Sequence, residues 1–218
     1  MSVVTRILLV DDHDLVRSGL RRLLADFPKL QVVGEAENGE DAFRLCRELQ
    51  PDLVLMDLKM PGIGGLEATR KVSSHYPHIK VIAVSAMEDE LYVSRLLQAG
   101  AAGYVLKGAP FEDMLKAIYK VMAGQRYLSG AVAEQLALRQ FDSSESSPFE
   151  RLSERELQIA LMVVNCHKVQ EISERLSLSP KTVNSYRYRL FEKLGIESDV
   201  ELTHLAIKHG IVESQRVS

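Results

Sequence analysis

Short apolar runs alternate with longer amphipathic stretches through the first half of the chain. Ile7–Val10 runs into Asp11 and Asp12, Leu53–Met56 into Asp57, Val81–Val84 into Ser85, and Tyr104–Leu106 into Lys107. Gln31–Ala36 adds a fifth run of strand type. Runs of this length, separated by helix-length segments, predict strands of a parallel sheet covered on both faces. Helical periodicity fills the gaps at Asp14–Asp26, Glu40–Leu49, Leu66–Ser74, Asp89–Gln98 and Phe111–Met122, and Gly124 closes the last helix. The pattern predicts an α/β domain of five βα units over residues 1–124.

From residue 125 the pattern changes. Ala131–Gln140 predicts one more helix, and Phe141–Pro148 is serine-rich, acidic and ended by proline, so residues 125–150 read as a partly helical linker. Residues 151–218 repeat at the helical period alone. Leu152-Ser153-Glu154-Arg155-Glu156-Leu157 opens a helix with a capping box, Ser153 with Glu156, and a Leu152–Leu157 staple. That helix is expected to run to about Val164. Val169–Leu176 follows as a short helix and Ser177-Leu178 as a turn. Ser179-Pro180 is an N-cap followed by the residue favoured at the first helical position. A third helix spans Pro180–Leu194 before Gly195, and a fourth spans Val200–His209 before Gly210. The predicted C-terminal domain is all-α with four helices, and its short helix, tight turn and longer helix form a helix-turn-helix outline.

In parallel sheets, ligands collect at the carboxyl ends of the strands. Asp11, Asp12, Asp57, Ser85 and Lys107 all fall there, so groups distant in sequence converge on one patch. A single Asp after a strand is most often a helix cap or turn residue, a single Lys a solvated charge, a single Ser a turn hydroxyl. The five together argue for a site. Three adjacent carboxylates need a cation, and oxygen ligands with room for waters and a phosphate suit Mg2+. A carboxylate also attacks phosphorus to give an acyl phosphate. Asp57, alone at the end of its strand, is placed to attack. Asp11 and Asp12 would hold the metal directly or through water, Lys107 would neutralise phosphoryl oxygens, and Ser85 would hydrogen-bond one of them.

The Asp11-Asp12 pair, the Asp57-x-x-Met60-Pro61-Gly62 turn, Ser85-Ala86 and Lys107 resemble the receiver domain of two-component response regulators over about residues 5 to 124. The resemblance implies a flavodoxin-like fold, Asp57 as phosphoacceptor and a sensor histidine kinase as donor. It further implies magnesium ligation by Asp12, Asp57 and the backbone carbonyl of Lys59, with Asp11 acting through water. Tyr104 matches the aromatic switch position, its ring turning inward as Ser85 moves. Two positions depart from many receivers, Ser85 in place of Thr and Gly108 in place of a proline after the lysine.

On the third C-terminal helix, Val183, Leu190 and Leu194 share one face and would pack on the first two helices. Lys181, Asn184, Ser185 and Tyr188 share the opposite face, which would enter a major groove, with Arg187 and Arg189 flanking it at the phosphates. Lys181, Arg187, Arg189 and Lys193 face only Glu192 in charge, a local positive stripe. By periodicity alone, a solvated bundle used for dimerisation explains the helices equally well. Leu152-Ser153-x-Arg155-Glu156, Glu171-Ile172-Ser173-x-x-Leu176, Ser179-x-x-Thr182-Val183 and Lys193-Leu194 resemble the NarL/FixJ-type, or LuxR-type, DNA-binding domain. The run from Ser179 to Arg189 and that from Asp199 to Leu205 resemble the GacA/UvrY/SirA group within it. The resemblance implies promoter DNA as partner and a hybrid sensor kinase; the expected DNA contacts are Lys181, Thr182, Asn184, Ser185, Arg187, Tyr188 and Arg189, and because many relatives have Lys and His in place of Asn184 and Tyr186, base preference does not carry over from the wider class. It also implies a homodimer through Leu202, Leu205, Ala206 and His209, residues that could equally be core of the domain.

Composition adds bounds. The 218 residues accommodate two domains, and a net charge of −3 gives no overall basic field. Cys46 and Cys166 show no paired spacing and are expected as buried, reduced thiols. No leader or membrane-length apolar run is evident, so the expected compartment is the cytoplasm. His75-x-x-His78 has metal-ligand spacing but sits beside Pro77 in a turn-like stretch that reads as solvated loop. Gly62-Ile63-Gly64-Gly65 lacks the lysine of a nucleotide loop and more simply lets the chain bend around the acidic pocket. Two rival functions stand beside the switch. A phosphoryl hydrolase of haloacid-dehalogenase type would need Asp-x-Asp where this chain has Asp11-Asp12. A DNA-binding protein independent of phosphorylation would not need the complete acidic set. The chain is therefore expected to catalyse only its own phosphoryl transfer and slow dephosphorylation.

Overall fold

A computed structural model describes residues 4–85, 90–130, 132–133, 147–176, 178–209 and 211. The chain divides into two compact units, residues 1–138 and 139–218.

In the first unit, strands and helices alternate: β1 Thr5–Val10, α1 Asp14–Ala25, β2 Leu30–Ala36, α2 Gly39–Leu49, β3 Leu53–Asp57, α3 Gly64–His75, β4 Lys80–Ser85, α4 Glu90–Gln98, β5 Gly103–Leu106 and α5 Phe111–Met122. The sheet is parallel in the order β2-β1-β3-β4-β5-β6. The sixth strand, β6 (Tyr127–Leu128), pairs with β5 and was not among the five expected. Two residues are too few to show a strand period, so only the neighbouring backbone reveals it.

Alternation along the strands splits the core into two layers. Ile7, Leu9, Leu53, Leu55 and Ile82 point to one face and pack with Leu24 of α1 and Met114, Ile118 and Val121 of α5. Leu8, Val10, Val54, Met56 and Val81 point to the other and meet Ala42 and Cys46 of α2 and Ala68 and Val72 of α3. Each fully buried aliphatic side chain contributes about 1.5–3 kcal/mol. Both faces are dry, which is why the strands read as unbroken apolar runs. Asn38 caps α2 by accepting a hydrogen bond from Asp41 N at 2.8 Å.

The second unit holds a 3-10 turn, Pro148–Arg151, then α6 Glu154–Val164, α7 Val169–Arg175, α8 Pro180–Leu194 and α9 Asp199–Lys208. The capping box forms: Ser153 N donates to Glu156 Oε2 at 2.7 Å and Glu156 N to Ser153 Oγ at 3.4 Å. Glu156 Oε2 also accepts from Lys193 Nζ at 2.6 Å, tying the start of α6 to the end of α8. Ser179 caps α8 through Thr182 N at 3.1 Å, and Gly195 ends it with φ 67°. Leu152, Leu157, Val183 and Leu190 are buried.

Three expectations need correction or delimiting. Leu202 and Ala206 are fully buried in their own domain, so they offer no surface to a second copy. Cys46 is buried and its thiol is pushed up to about 12 by burial, whereas Cys166 is exposed, at φ 61°, in the turn between α6 and α7. The helix expected over Ala131–Gln140 and most of the serine-rich stretch after it lie outside the described residues.

Candidate functional site

Register brings the polar strand ends together. Asp57 pairs with Val84 and Ser85 with Leu106, so Asp57, Ser85 and Lys107 follow one another across β3, β4 and the end of β5. Lys107 N donates to the Ser85 carbonyl at 2.8 Å, which holds the start of the loop after β5. Lys107 Nζ then lies 2.7 Å from Asp11 Oδ2 and 2.9 Å from Asp57 Oδ2. Asp11 and Asp57 are buried, while Asp12 is exposed.

The two oxygens of Asp57 differ. Oδ1 accepts from Leu58 N at 2.7 Å and Lys59 N at 3.3 Å. Oδ2 faces Lys107 and has no other protein partner among the described residues. Burial holds the Asp57 carboxyl above the usual carboxylate range, against the opposing pull of Lys107. Burial also works to lower the Lys107 ammonium, but its bonds to Asp11 and Asp57 outweigh that and hold it raised.

Ligand atoms of Asp11, Asp12, His13 and Asp57 lie within 4.8 Å of one another. Three carboxylates against one ammonium leave two negative charges, which a divalent cation would cancel, and the carboxylate oxygens suit a hard ion. The residues therefore fit Mg2+. His75 and His78 join no such group among the described residues; His78 Nε2 lies 2.9 Å from Gln50 Oε1.

The glycine-rich turn shapes the pocket floor. Gly62 and Gly64 have φ of 77° and 71°, where side chains are disfavoured. A Cβ on Gly65 would come 2.0 Å from the Asp57 carbonyl oxygen, so α3 starts hard against the end of β3. Ser85 and Tyr104 are both buried on β4 and β5.

Two further side chains belong to the site and were not singled out by the sequence pattern. His13 Nδ1 lies 2.8 Å from Asp12 Oδ1. Arg17, buried on α1, donates to the Asp11 carbonyl at 2.6 Å and to Glu37 at 2.8 Å. The Asp14–Arg17 spacing is visible in sequence, but Glu35 on β2 and Glu37 just after it become neighbours of Arg17 only in the fold.

On α8, Lys181, Ser185, Tyr188 and Arg189 are exposed, with Tyr188 74% accessible, and Thr182 and Asn184 are half-buried. The Thr182 hydroxyl lies 2.8 Å from Ser179 Oγ. Arg187, expected at the phosphates, is engaged inside the domain: it donates to Asp199 Oδ2 at 2.5 Å and to Asn184 Oδ1 at 3.2 Å. On α9, Leu205 is half-buried and His209 stacks edge-on to Phe149, while Val200 and Ile207 are exposed. No described helix is long and apolar enough to cross a membrane.

Residues 7–119 match the response regulator receiver domain and residues 150–206 the luxR family of bacterial regulatory proteins. The chain is 61% identical to response regulator GacA of Pseudomonas aeruginosa over 210 residues, 96% of this chain and 98% of the relative. It is 54% identical to response regulator UvrY of Escherichia coli over 213 residues, 97% and 98% of the two chains. A Salmonella typhimurium RcsB response regulator structure, solved in a study of DNA interaction, superposes with TM-score 0.60 at 25% identity, covering 93% of this chain and 97% of that one. The convergent acidic site on a parallel sheet, followed by a capped helix-turn-helix, thus has full-length counterparts, and the chain belongs to the two-component response regulators that join a receiver domain to a LuxR-type DNA-binding domain and regulate transcription.

Proposed function

We propose that Asp57 is the phosphoacceptor and that its phosphorylation switches DNA binding by residues 151–218. The observation that carries this is the buried Asp57 Oδ2, which is ion-paired to Lys107 at 2.9 Å beside the carboxylates of Asp11 and Asp12. The donor is a sensor histidine kinase, hybrid in kind. An Asp57 carboxylate oxygen attacks phosphorus, a P–O bond forms, and the P–N bond of the kinase phosphohistidine breaks with its electron pair passing to the imidazole. Asp11, Asp12, Asp57 and the Lys59 carbonyl would hold Mg2+, which supplies charge neutralisation at the phosphoryl oxygens. Lys107 moves its charge from the carboxylates to the phosphoryl group, and Ser85 donates its hydroxyl there. Tyr104 is already buried with its ring inward, so the expected inward turn is not needed, and the change at the surface falls to Ser85 and the loop that carries Lys107. The added charge is about −1.5 to −2 units, enough to bias two arrangements of these loops.

The DNA contacts in this reading are Lys181, Thr182, Asn184, Ser185, Tyr188 and Arg189, in the cytoplasm, on double-stranded promoter DNA. The active form is a homodimer. Val200 and Ile207, seven residues apart on α9 and exposed, suit its surface better than Leu202 and Ala206. Intact-mass measurement after incubation with Mg2+ and acetyl phosphate, beside Asp57→Asn, tests the acceptor. One phosphoryl group gained by the native chain alone, with tighter selective DNA binding at fixed salt, is the expected result. No gain in mass would leave a DNA-binding protein controlled by other means.

A further inference from the structure

The carbonyl of Asp11 lies one residue past the end of β1, in a residue only 4% exposed. A buried carbonyl needs a donor, and Arg17 of α1 supplies one, its Nη1 donating to the Asp11 oxygen at 2.6 Å. Asp11 N donates to the Ala36 carbonyl at 3.1 Å, so both backbone groups of Asp11 are tied down. Arg17 is itself buried and held by carboxylates. Its Nη2 meets Glu37 at 2.8 Å and Asp14 at 3.2 Å, and its Nε meets Glu35 at 3.4 Å. All three guanidinium nitrogens are engaged at once, one on the backbone of the acidic pair and two on carboxylates outside the pocket.

From this geometry we infer that Arg17 is a positioning residue for Mg2+ binding, which fixes the backbone of Asp11 so that the Asp11 and Asp12 carboxylates stand together before the ion arrives. This rests on the reading of the acidic pocket as a Mg2+ site. Asp11, Asp12 and Asp57 place ligand atoms within 4.8 Å of one another, and like charges so close repel. A backbone free to turn would let them move apart. Arg17 opposes that turn from behind the carboxylates, without competing for their oxygens. Groups that orient metal ligands in this way typically contribute about 10–100-fold in affinity. Shape matters here as well as charge. A lysine ammonium is a single point on a flexible stem, whereas the planar fork spans the Asp11 carbonyl and the two glutamates together. Arg21 supplies the control, because it shares Glu35 at 3.0 Å from an exposed position one turn further along α1.

Calorimetric Mg2+ titration of the full-length protein tests this, with Arg17→Met, Arg17→Lys and Arg21→Met beside the native chain. Both Arg17 variants are expected to bind Mg2+ about tenfold more weakly, and Arg21→Met as the native chain does. Phosphorylation by acetyl phosphate, followed by intact mass across Mg2+ concentrations, should split in the same way. The half-saturating Mg2+ concentration of the Arg17 variants should rise about tenfold, while the rate at saturating Mg2+ stays within about threefold of native. If Arg17→Met does not fold, as judged by its thermal melt, Arg17→Lys carries the test, since it keeps a positive charge opposite Glu35 and Glu37. Unchanged Mg2+ affinity in a folded Arg17 variant, even with a lowered melt, would overturn the inference and leave the reading of the pocket intact. A loss in Arg17→Met that Arg17→Lys restores would also overturn it, because charge and not the grip on the carbonyl would then be the cause. No Mg2+ binding by the native chain would sink the reading of the pocket, and the inference with it.

Discussion

Lys107 Nζ sits 2.9 Å from Asp57 Oδ2 and bridges it to Asp11, so the ammonium already occupies the place where phosphoryl oxygens must be met. It offsets one of the pocket's three carboxylate charges and is positioned to transfer its bond to the product. Lys107→Gln should therefore separate two functions. Mg2+ affinity is expected to hold or rise, because a competing cation is gone. Phosphorylation by acetyl phosphate should slow by about 100-fold, the usual effect of losing one charge-stabilising donor. Calorimetric Mg2+ titration and timed intact-mass measurements check the two halves separately.

Gly65 and Gly124 make a paired test of backbone space. A methyl at Gly65 meets backbone, 2.0 Å from the Asp57 carbonyl oxygen and 2.7 Å from Leu58 Cα. Gly65→Ala should cost about 3 kcal/mol and displace Asp57, lowering phosphorylation even at temperatures where the variant remains folded. A Cβ on Gly124 meets nothing within 4 Å, but its φ of 81° disfavours any side chain. Gly124→Ala should cost about 1 kcal/mol and leave phosphorylation unchanged. Thermal melts read the first difference and intact mass the second.

Glu156 gives the C-terminal domain a defined acid limit. Burial acts to raise its pKa, but Lys193 and the bonds with Ser153 outweigh that and hold it below its ordinary value of 4.5. A lowered carboxylate stabilises the fold fully above the unfolded-state pKa, and the contribution fades as pH falls through the lower folded value. Glu156→Gln should cost about 1–2 kcal/mol at pH 7. As pH falls below 4.5 and through the lower folded value, the gap between the variant and native curves should close. Denaturant melts across that range would refute the account if the gap stayed constant.

Leu202 and Val200 lie two residues apart on α9 and should behave oppositely. Leu202 is fully buried, so Leu202→Ala should destabilise its domain by about 2–5 kcal/mol. Val200 is 65% exposed, so Val200→Asp should leave the melt unchanged. If α9 carries the dimer surface, Val200→Asp should abolish cooperative binding to paired half-sites while half-site binding persists. Sedimentation of the phosphorylated protein, with and without DNA, distinguishes these outcomes.

Local signals carried much of the architecture. The strand ends at Asp57, Ser85 and Lys107, the capping box at Ser153 and Glu156, and the Ser179-Pro180 helix start all depend on chain neighbours, and the fold honours each. The convergence of the acidic set followed from a topological rule about where strands of parallel sheets end. Tertiary structure alone decided the rest. Arg187 and Arg189 look alike in the sequence, but one faces Asp199, twelve residues on, and the other faces solvent. Leu202 and Ala206 fit a dimer surface or a core equally by period, and only the helices packed against them choose. Arg17 on α1 finds Glu35 and Glu37 at the end of β2 only because the helix packs beside that strand, and β6 exists because β5 offers an unpaired edge. Helix caps and strand runs are set by residues within a few positions, whereas the partner of a charge or the burial of a leucine depends on elements brought together by folding.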